Sequence, residues 1–450
     1  MLKLNNLDFM LKRWLCFVLG VCLPLGASAQ SHLFNLDSDF LTRGEIRKGG
    51  TANVDPDDPQ GDLAAFLLGR ARVTAGYQLF TKKKQEKPLL EVNVSGQFCG
   101  TWGMGSPLSF EAYEAWAALN FGPGFFAKLG RQSLSYDDQR VFGSDDWSLT
   151  GLSHDALKLG YEGQGHKVHV FGAFNQNPEN MNGGTYYSNG LQPYKAMAAL
   201  WYHWDIPWIP LGISLLGINL TTQAVSDVEE KPKWVFNQQM VGGYLLFNPK
   251  KWEVEAAGYY QMGKSEHGLP IQAWMASAKV AFTASKQWKI HAGYDYLSGD
   301  ENFSVPPGGY IGIQRHDVIR GFSLLYGSHH KFYGAMDFFY LSDYYGGFTP
   351  GLQNAYVSAQ WSPISPLTLD LGYHFLATGV KLRNADMPLG HEVEFSASYD
   401  LGHTMSISLG YTFMRGTKTM EVLKRTSGKR ELHWGWIMFQ ATPRFLQSKR

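Results

Sequence analysis

The chain has little of what usually holds a soluble enzyme together. Of its 450 residues only three are cysteine, Cys16, Cys22 and Cys99. The first two fall in a segment expected to be removed, which leaves Cys99 alone and excludes an intrachain disulfide. Charged residues make up 18% of the chain, and the two signs nearly cancel. Without residues 1–29, which carry Lys3, Lys12, Arg13 and Asp8, the 40 basic and 39 acidic residues become 37 and 38. A nucleic-acid partner needs a clustered basic surplus, so none is expected. Beyond the N-terminus no apolar run approaches the roughly 20 residues of a spanning helix. Stretches with the 3.6-residue period of an amphipathic helix are almost absent.

At the N-terminus, Lys12 and Arg13 precede the apolar run Trp14–Val21, and Ala27-Ser28-Ala29 closes it. A charged start, a short apolar stretch and an A-x-A site make a secretory signal peptide, with cleavage expected after Ala29. Residues 10–29 already hold all three parts, so Met10 is an alternative start. The remainder, residues 30–450, reads as one domain.

What the chain does have is 50 Gly, 23 Tyr, 28 Phe and 14 Trp, set in short segments that alternate apolar and polar residues. Val92, Val94, Gly96 and Phe98 alternate with Glu91, Asn93, Ser95 and Gln97; Val393, Phe395, Ala397 and Tyr399 alternate with Glu392, Glu394, Ser396 and Ser398. A period of two is that of strands with one apolar face. The pattern predicts strands at 34–47, 64–80, 89–101, 109–120, 125–135, 153–161, 166–175, 193–204 and 210–222, and then at 233–247, 251–263, 271–284, 287–298, 351–362, 366–378, 389–400, 404–415 and 431–446. Every second connection is short, as at Phe121–Gly124, Glu162–Gly165, Asn248–Lys250 and Pro363–Pro366, and the others are mostly longer and polar.

This asymmetry points to an all-β fold: a single transmembrane antiparallel β-barrel of about 18 strands, within two, with short periplasmic turns and longer extracellular loops. A β protein crosses a bilayer only as a closed cylinder, because lipid satisfies no backbone group. Trp and Tyr favour the two interfaces, and the pairs Trp434 with Trp436 and Tyr259 with Tyr260 are candidates for those girdles. The longest connection, 298–350, is too long to lack structure of its own. It is expected to form a constriction or plug, an extracellular cap, or an extra hairpin that raises the count to twenty.

If apolar positions face lipid, the opposite parity faces the lumen. That places Arg70 and Arg72 inside with Thr74 and Gln78, since a charge facing lipid at mid-membrane costs about 2–4 kcal/mol. Asp37, Asp39, Arg43 and Glu45 are candidate partners for them. Lys128 and Lys158 also take the lumen parity. Arg131 shares the parity of Phe125 and Leu129, so it either lies beyond the hydrocarbon region or follows a bulge near Gly130. Glu253, Glu255, Glu392 and Glu394 bring the opposite sign to the lumen. The candidate pore-lining residues are thus Arg70, Arg72, Lys128, Arg131, Arg140 and Lys158.

Catalysis has little to stand on. Ser153, His154 and Asp155 are consecutive on a strand and point to alternate faces, and no G-x-S-x-G or H-E-x-x-H motif is present. His329-His330 reads as plain loop, not a metal site. The acidic segments Asp55–Asp62, Asp137-Asp138 and Asp145-Asp146 read as solvated loops, whose spacing does not match an EF-hand. No cofactor is expected.

Gly130-Arg131-Gln132, continuing through Tyr136, Asp137, Arg140, Gly143, Asp146, Trp147 and Asp155, resembles the signature region of the alginate export porins. Gly293–Asp300, His330–Gly334 with Asp337–Phe339, and Leu389–Glu394 have the same character, so the resemblance spans most of the mature chain. It implies an eighteen-stranded outer-membrane barrel with a basic lumen for an anionic uronate polymer, narrowed by loops. It also implies Arg131 and Arg140 as pore or loop-anchoring cations, with Asp146, Trp147 and Asp155 as structural companions. The many lumen carboxylates and the balanced charge depart from that pattern. They point to a relative passing another solute, an anionic oligosaccharide or small anion. The expected surroundings are outer-membrane lipid and lipopolysaccharide, and the barrel is expected to be a monomer.

Overall fold

The computed structural model describes residues 31–49, 63–81, 87–103, 109–175, 194–225, 234–300, 303–304, 312–313, 317–339, 349–402, 404–424 and 430–449. The expected leader and the acidic segment Asp55–Asp62 lie outside the described residues. The strands, in chain order, are β1 (Ser31–Lys48), β2 (Ala64–Phe80), β3 (Leu90–Thr101), β4 (Ser109–Asn120), β5 (Phe125–Gln132), β6 (His154–Gly163), β7 (His166–Phe174), β8 (Ala196–Ile206) and β9 (Leu211–Gln223). They continue as β10 (Val235–Phe247), β11 (Trp252–Lys264), β12 (Pro270–Thr283), β13 (Trp288–Leu297), β14 (Leu352–Ile364), β15 (Leu367–Ala377), β16 (Pro388–Gly402), β17 (Met405–Gly416) and β18. The last is one strand in two pieces, Glu431–Ala441 and Arg444–Lys449, interrupted at Thr442-Pro443; both pieces pair with β1. Each strand pairs antiparallel with its sequence neighbours, so the sheet is a closed barrel of eighteen strands. A two-residue pairing, Phe303–Ser304 with Gly312–Ile313, stays outside the barrel sheet, so the described part of the long connection adds no strands to the wall.

The predicted strands and the observed ones agree to within a few residues because alternation is enforced on every strand. Leu129, Leu157, Leu159, Val170, Leu200, Leu215, Val241, Val357 and Leu371 are exposed on the outside, and their sequence neighbours turn inward. No described helix is long and apolar enough to cross a membrane. The outer belt does that work instead, as in barrels whose lipid face is an apolar band about 25 Å tall. The tight turns use backbone conformations that favour glycine: Gln164 (φ 53°) and Gly165 (φ 81°) form the two-residue β6–β7 turn, the sign combination that suits hairpin twist.

Aromatic rings gather at both rims of the belt. At the short-turn end Trp252 packs on Phe282, Trp288 on Trp361 and Phe125 on Tyr161, with centroids 4.6, 5.5 and 4.8 Å apart. At the other end Trp274 stacks on Tyr296 at 4.5 Å, and the outward Tyr294 hydroxyl donates to Gln353 Oε1 at 2.6 Å. Tyr260 is part of this outer rim. Tyr259 and Trp434, expected in the girdles, instead face inward and are 4% and 3% exposed, with Trp436 packed beside Trp434. Tyr259 shares the parity of Glu253 and Glu255, and the indole of Trp434 donates to Glu45 Oε2 at 2.8 Å.

A cation placed mid-belt tests this orientation. Leu200→Arg is expected to lower the unfolding free energy by about 2–4 kcal/mol, read from denaturant titration of the protein folded in lipid vesicles. No loss of stability would mean that Leu200 does not face lipid.

Candidate functional site

Two connections on the long-loop side turn into the barrel. Residues 133–153 join β5 to β6, and residues 317–339 belong to the β13–β14 connection. They lie against each other: Gly143 N donates to Tyr326 O (2.9 Å), Tyr326 N to Val141 O (3.1 Å) and Ser328 N to Gln139 O (2.9 Å). Their apolar side chains, among them Tyr136, Phe142, Tyr326, Tyr333 and Phe338, form one buried cluster with Phe171, Met197, Trp201, Met240, Leu376 and Met414 of the inner wall. Phe142 is fully buried. The upper lumen is therefore packed like a protein core, and the described residues 317–339 of the long connection lie inside the wall.

Charged groups fasten this insert to the wall. Arg140 is central: Nε donates to Asp138 Oδ2 (3.1 Å), one terminal nitrogen donates to the Tyr333 hydroxyl (2.8 Å), and the same nitrogen lies 3.1 Å from Asp295 Oδ1. That last contact is an ion pair out of hydrogen-bonding alignment. The guanidinium also lies 4.0 Å from the Phe332 ring centre. Burial opposes its charge, but Tyr333, Asp295 and Asp138 outweigh burial and raise its pKa well above the ordinary value. One side chain thus joins both inserted segments to β13.

Glu392 of β16 accepts from Ala335 N (2.6 Å) and Met336 N (3.4 Å). Asp137 accepts from Trp201 Nε1 (3.1 Å) and Ser214 Oγ (2.5 Å). Burial pushes the Asp137 carboxyl above its usual pKa range, against the hydrogen bonds from Ser214 and Trp201. Asp137 and Asp138 are therefore not solvated loop acids; they are part of the insert's attachment. His330 stacks on Trp147 with centroids 4.0 Å apart and bonds Asp337 Oδ2 at 2.8 Å. Burial lowers the pKa of His329, whose Nε2 lies 3.0 Å from Leu324 O.

The sequence-predicted pore cations divide into three groups. Arg70 and Arg72 face inward but lie beneath residues 133–153, only 2% and 9% exposed. Arg70 bonds Asp39 (2.5 Å) and reaches the carbonyls of Asp146, Ser148 and Leu149. Arg72 bonds Gln97 (2.8 Å), lies 3.5 Å from Asp146 and covers the Tyr113 ring. With Arg43, which donates to Trp147 O at 2.8 Å, and with Arg140, they are buried and bonded to the inserted loops. Arg131 does not line the lumen. No register shift occurs at Gly130, so Arg131 keeps the outward parity of Leu129 and forms a bidentate pair with the outward Asp155 at 2.9 and 2.8 Å. Lys128 and Lys158 are the third group: they sit opposite each other across β5 and β6 on the inner face.

Sequence reasoning missed the roles of Asp138, Asp295, Tyr333 and Glu392 in holding the insert. Signals were present for two of them: Asp295 alternates with the outward Tyr294, and Tyr333 lies in one of the segments that carry the resemblance. Ser153, His154 and Asp155 form no triad, since His154 is buried inside against the Tyr194 hydroxyl (2.8 Å) and Asp155 is outside.

A closed apolar-belted barrel, narrowed by its own inward loops, defines the class: an outer-membrane β-barrel channel. The alginate export family profile matches residues 109–377, more than half of the chain, and the chain belongs to that family. Among solved structures it is similar to OccAB1 of Acinetobacter baumannii, at 12% identity and a TM-score of 0.59 over 92% of this chain and 97% of that one. OprD of Pseudomonas aeruginosa matches at 12% identity and a TM-score of 0.56, over 91% of this chain and 94% of that one. OccK11 (OpdR) of the same organism matches at 11% and 0.57, over 92% and 96%. At these identities the likeness is one of fold. No curated protein matches the chain significantly.

Removing the central anchor isolates its contribution. Arg140→Met strands two buried carboxylates, a loss of about 3–5 kcal/mol for the attachment. The expected result is a still-folded barrel with larger, noisier single-channel conductance and faster proteolysis within 317–339. Wild-type conductance and protection would show that Arg140 does not hold the insert.

Proposed function

We propose that the barrel passes anionic saccharides or small anions by passive diffusion, and that Lys128 and Lys158 are the cations such a solute meets. The observation that carries this reading is the state of those two side chains. Lys128 Nζ lies 3.5 Å over the Trp116 ring, and Lys158 Nζ lies 5.8 Å from Tyr136 and 5.9 Å from Phe126. Neither has a carboxylate in ion-pair contact among the described residues. Nearby acids are engaged elsewhere: Glu91 with Gln78, Glu114 with Asn93 and Ser133 N, Glu162 with Lys87 and His169. Two facing ammonium groups without counter-ions favour an anion between them.

Across the lumen, under the insert, a cavity of about 150 Å³ is bordered by Lys331, Tyr356, His374 and Glu394, among others. Its mixed signs suit a polar hydroxylated solute better than a simple ion. Membership of the alginate export family supports an anionic sugar acid as the solute class. The chain is read as a monomer, delivered by a leader ending at Ala29. A second reading, a barrel shut by its own loops, is favoured by the dense packing around Phe142.

The test is single-channel recording of the refolded mature chain in planar bilayers, with reversal potentials and block by uronate oligomers. Anion preference with uronate block is expected, and Lys128→Met with Lys158→Met should lower the anion-to-cation permeability ratio several-fold. An unchanged ratio would remove the two lysines from the permeation path. Silence at every voltage would favour the shut barrel.

A further inference from the structure

The outer wall of β15–β18 carries a second pattern that permeation does not use. On β15 and β17, Tyr373 and Phe375, and then Tyr411 and Phe413, face outward near the long-loop end. On the strand following each stands a histidine. The Tyr373 hydroxyl bonds His391 Nδ1 at 2.7 Å, and the Tyr411 hydroxyl bonds His433 Nδ1 at 2.7 Å. Phe375 packs on His391 and Phe413 on His433, with centroids 5.3 and 5.1 Å apart. Both Nδ1 atoms are thereby occupied, and among the described residues neither Nε2 has a hydrogen-bond partner.

Between the two histidines stands Arg415, in direct register with His391 on one side and with Glu431 on the other. Its only ion pair among the described residues is a 4.0 Å contact to Glu431, with the two side chains 73% and 60% exposed. The other nearby acid, Glu421, is held by Arg430 at 2.8 Å. His391, Arg415 and His433 therefore form a row of donors on the outside of three adjacent strands, with Phe375 and Phe413 in register beside the two histidines and Tyr373 and Tyr411 one outward position nearer the short-turn end.

The height of this row identifies what it meets. Along β16, His391 lies eight residues from Tyr399, which is near the short-turn end. At about 3.3 Å per residue and a tilt of about 45° that is a climb of roughly 19 Å, most of the apolar band. The row stands where the outer leaflet's headgroups begin. A guanidinium flanked by imidazoles matches a phosphate, aromatic faces beneath suit the first methylenes of acyl chains, and basic clusters at membrane interfaces recognise anionic headgroups.

We propose that His391, Arg415 and His433 form a docking site on the outer wall for the phosphorylated headgroup of an outer-leaflet glycolipid. The phosphate takes Arg415 from its long contact with Glu431 and accepts from the imidazole Nε2 donors, while the acyl chains run down over Phe375 and Phe413.

The experiment is native mass spectrometry of the full-length mature barrel refolded in detergent, incubated with bis-phosphorylated lipid A or with the same lipid after chemical dephosphorylation. The phosphorylated lipid should remain bound, the dephosphorylated one should be lost, and His391→Gln, Arg415→Gln and His433→Gln together should cut retention about tenfold. Heat-modifiable gel mobility establishes that the variant is folded; if it is not, Arg415→Gln alone is measured, with a several-fold loss expected. Equal retention of the two lipids, or undiminished retention by a folded variant, would overturn the site.

Discussion

A backbone N–H in hydrocarbon has no water to bond, and every other feature of this molecule follows from how the chain closes its ring under that constraint. The seam lies between β1 and β18, and it is irregular. Pro443 has no N–H to give and interrupts β18 where β1 shifts register between Leu36 and Asp37. The gap is covered from both sides. Ser38 N donates to Pro443 O at 3.1 Å, Thr442 N to Thr404 O at 2.7 Å, and Arg444 Nε to Asp37 Oδ1 at 2.6 Å. A proline is tolerated here because it sits at a bulge and its neighbours supply the missing bonds.

Closure creates an inside, and eighteen strands enclose more space than side chains from the wall can fill. The chain fills the upper part with residues 133–153 and 317–339. An insert of that size carries backbone groups that must be satisfied once water is excluded. Arginines on the inner wall meet that need: Arg43, Arg70 and Arg72 bind the 146–149 carbonyls or the Asp146 side chain, and Glu392 receives the 335–336 amides. The charges that closure forces into the lumen thus become the means of holding its contents.

Strand positions were legible in the sequence because lipid on one side and polar surroundings on the other impose the same period on all eighteen strands. Parity alone also placed Arg70, Arg72, Lys128 and Lys158 inward, and it would have removed Tyr259 from the girdle had it been applied there. The destination of the loops was not legible. Asp137 and Asp138 look like solvated acids until Trp201, Ser214 and Arg140 surround them. Arg140 in turn finds Tyr333 across a sequence separation of 193 residues. Partners set by tertiary closure leave no local period to read. Arg131 shows the limit of family resemblance as well, since its match implied a pore or loop-anchoring cation while its parity pointed outward, where Asp155 neutralises it.

The division between arginines and lysines has a physical reason. A guanidinium presents five donors in a rigid fork and can hold several carbonyls and a carboxylate at once, as Arg70 does; an ammonium is a compact point charge on a flexible stem. Burying an arginine under a loop therefore satisfies it, whereas burying a lysine leaves most of its charge uncompensated. Lys128 and Lys158 lie on the β5–β6 hairpin, on the short-turn side of the insert that this same hairpin emits at Gln132 and receives at His154. Lys158 lies near Tyr136 of the insert and Lys128 rests over Trp116 of the neighbouring wall strand β4, but neither is covered by a row of carbonyls. The residue type at each inner position thus separates the cations that hold the insert in place from the two that have no ion pair among the described residues.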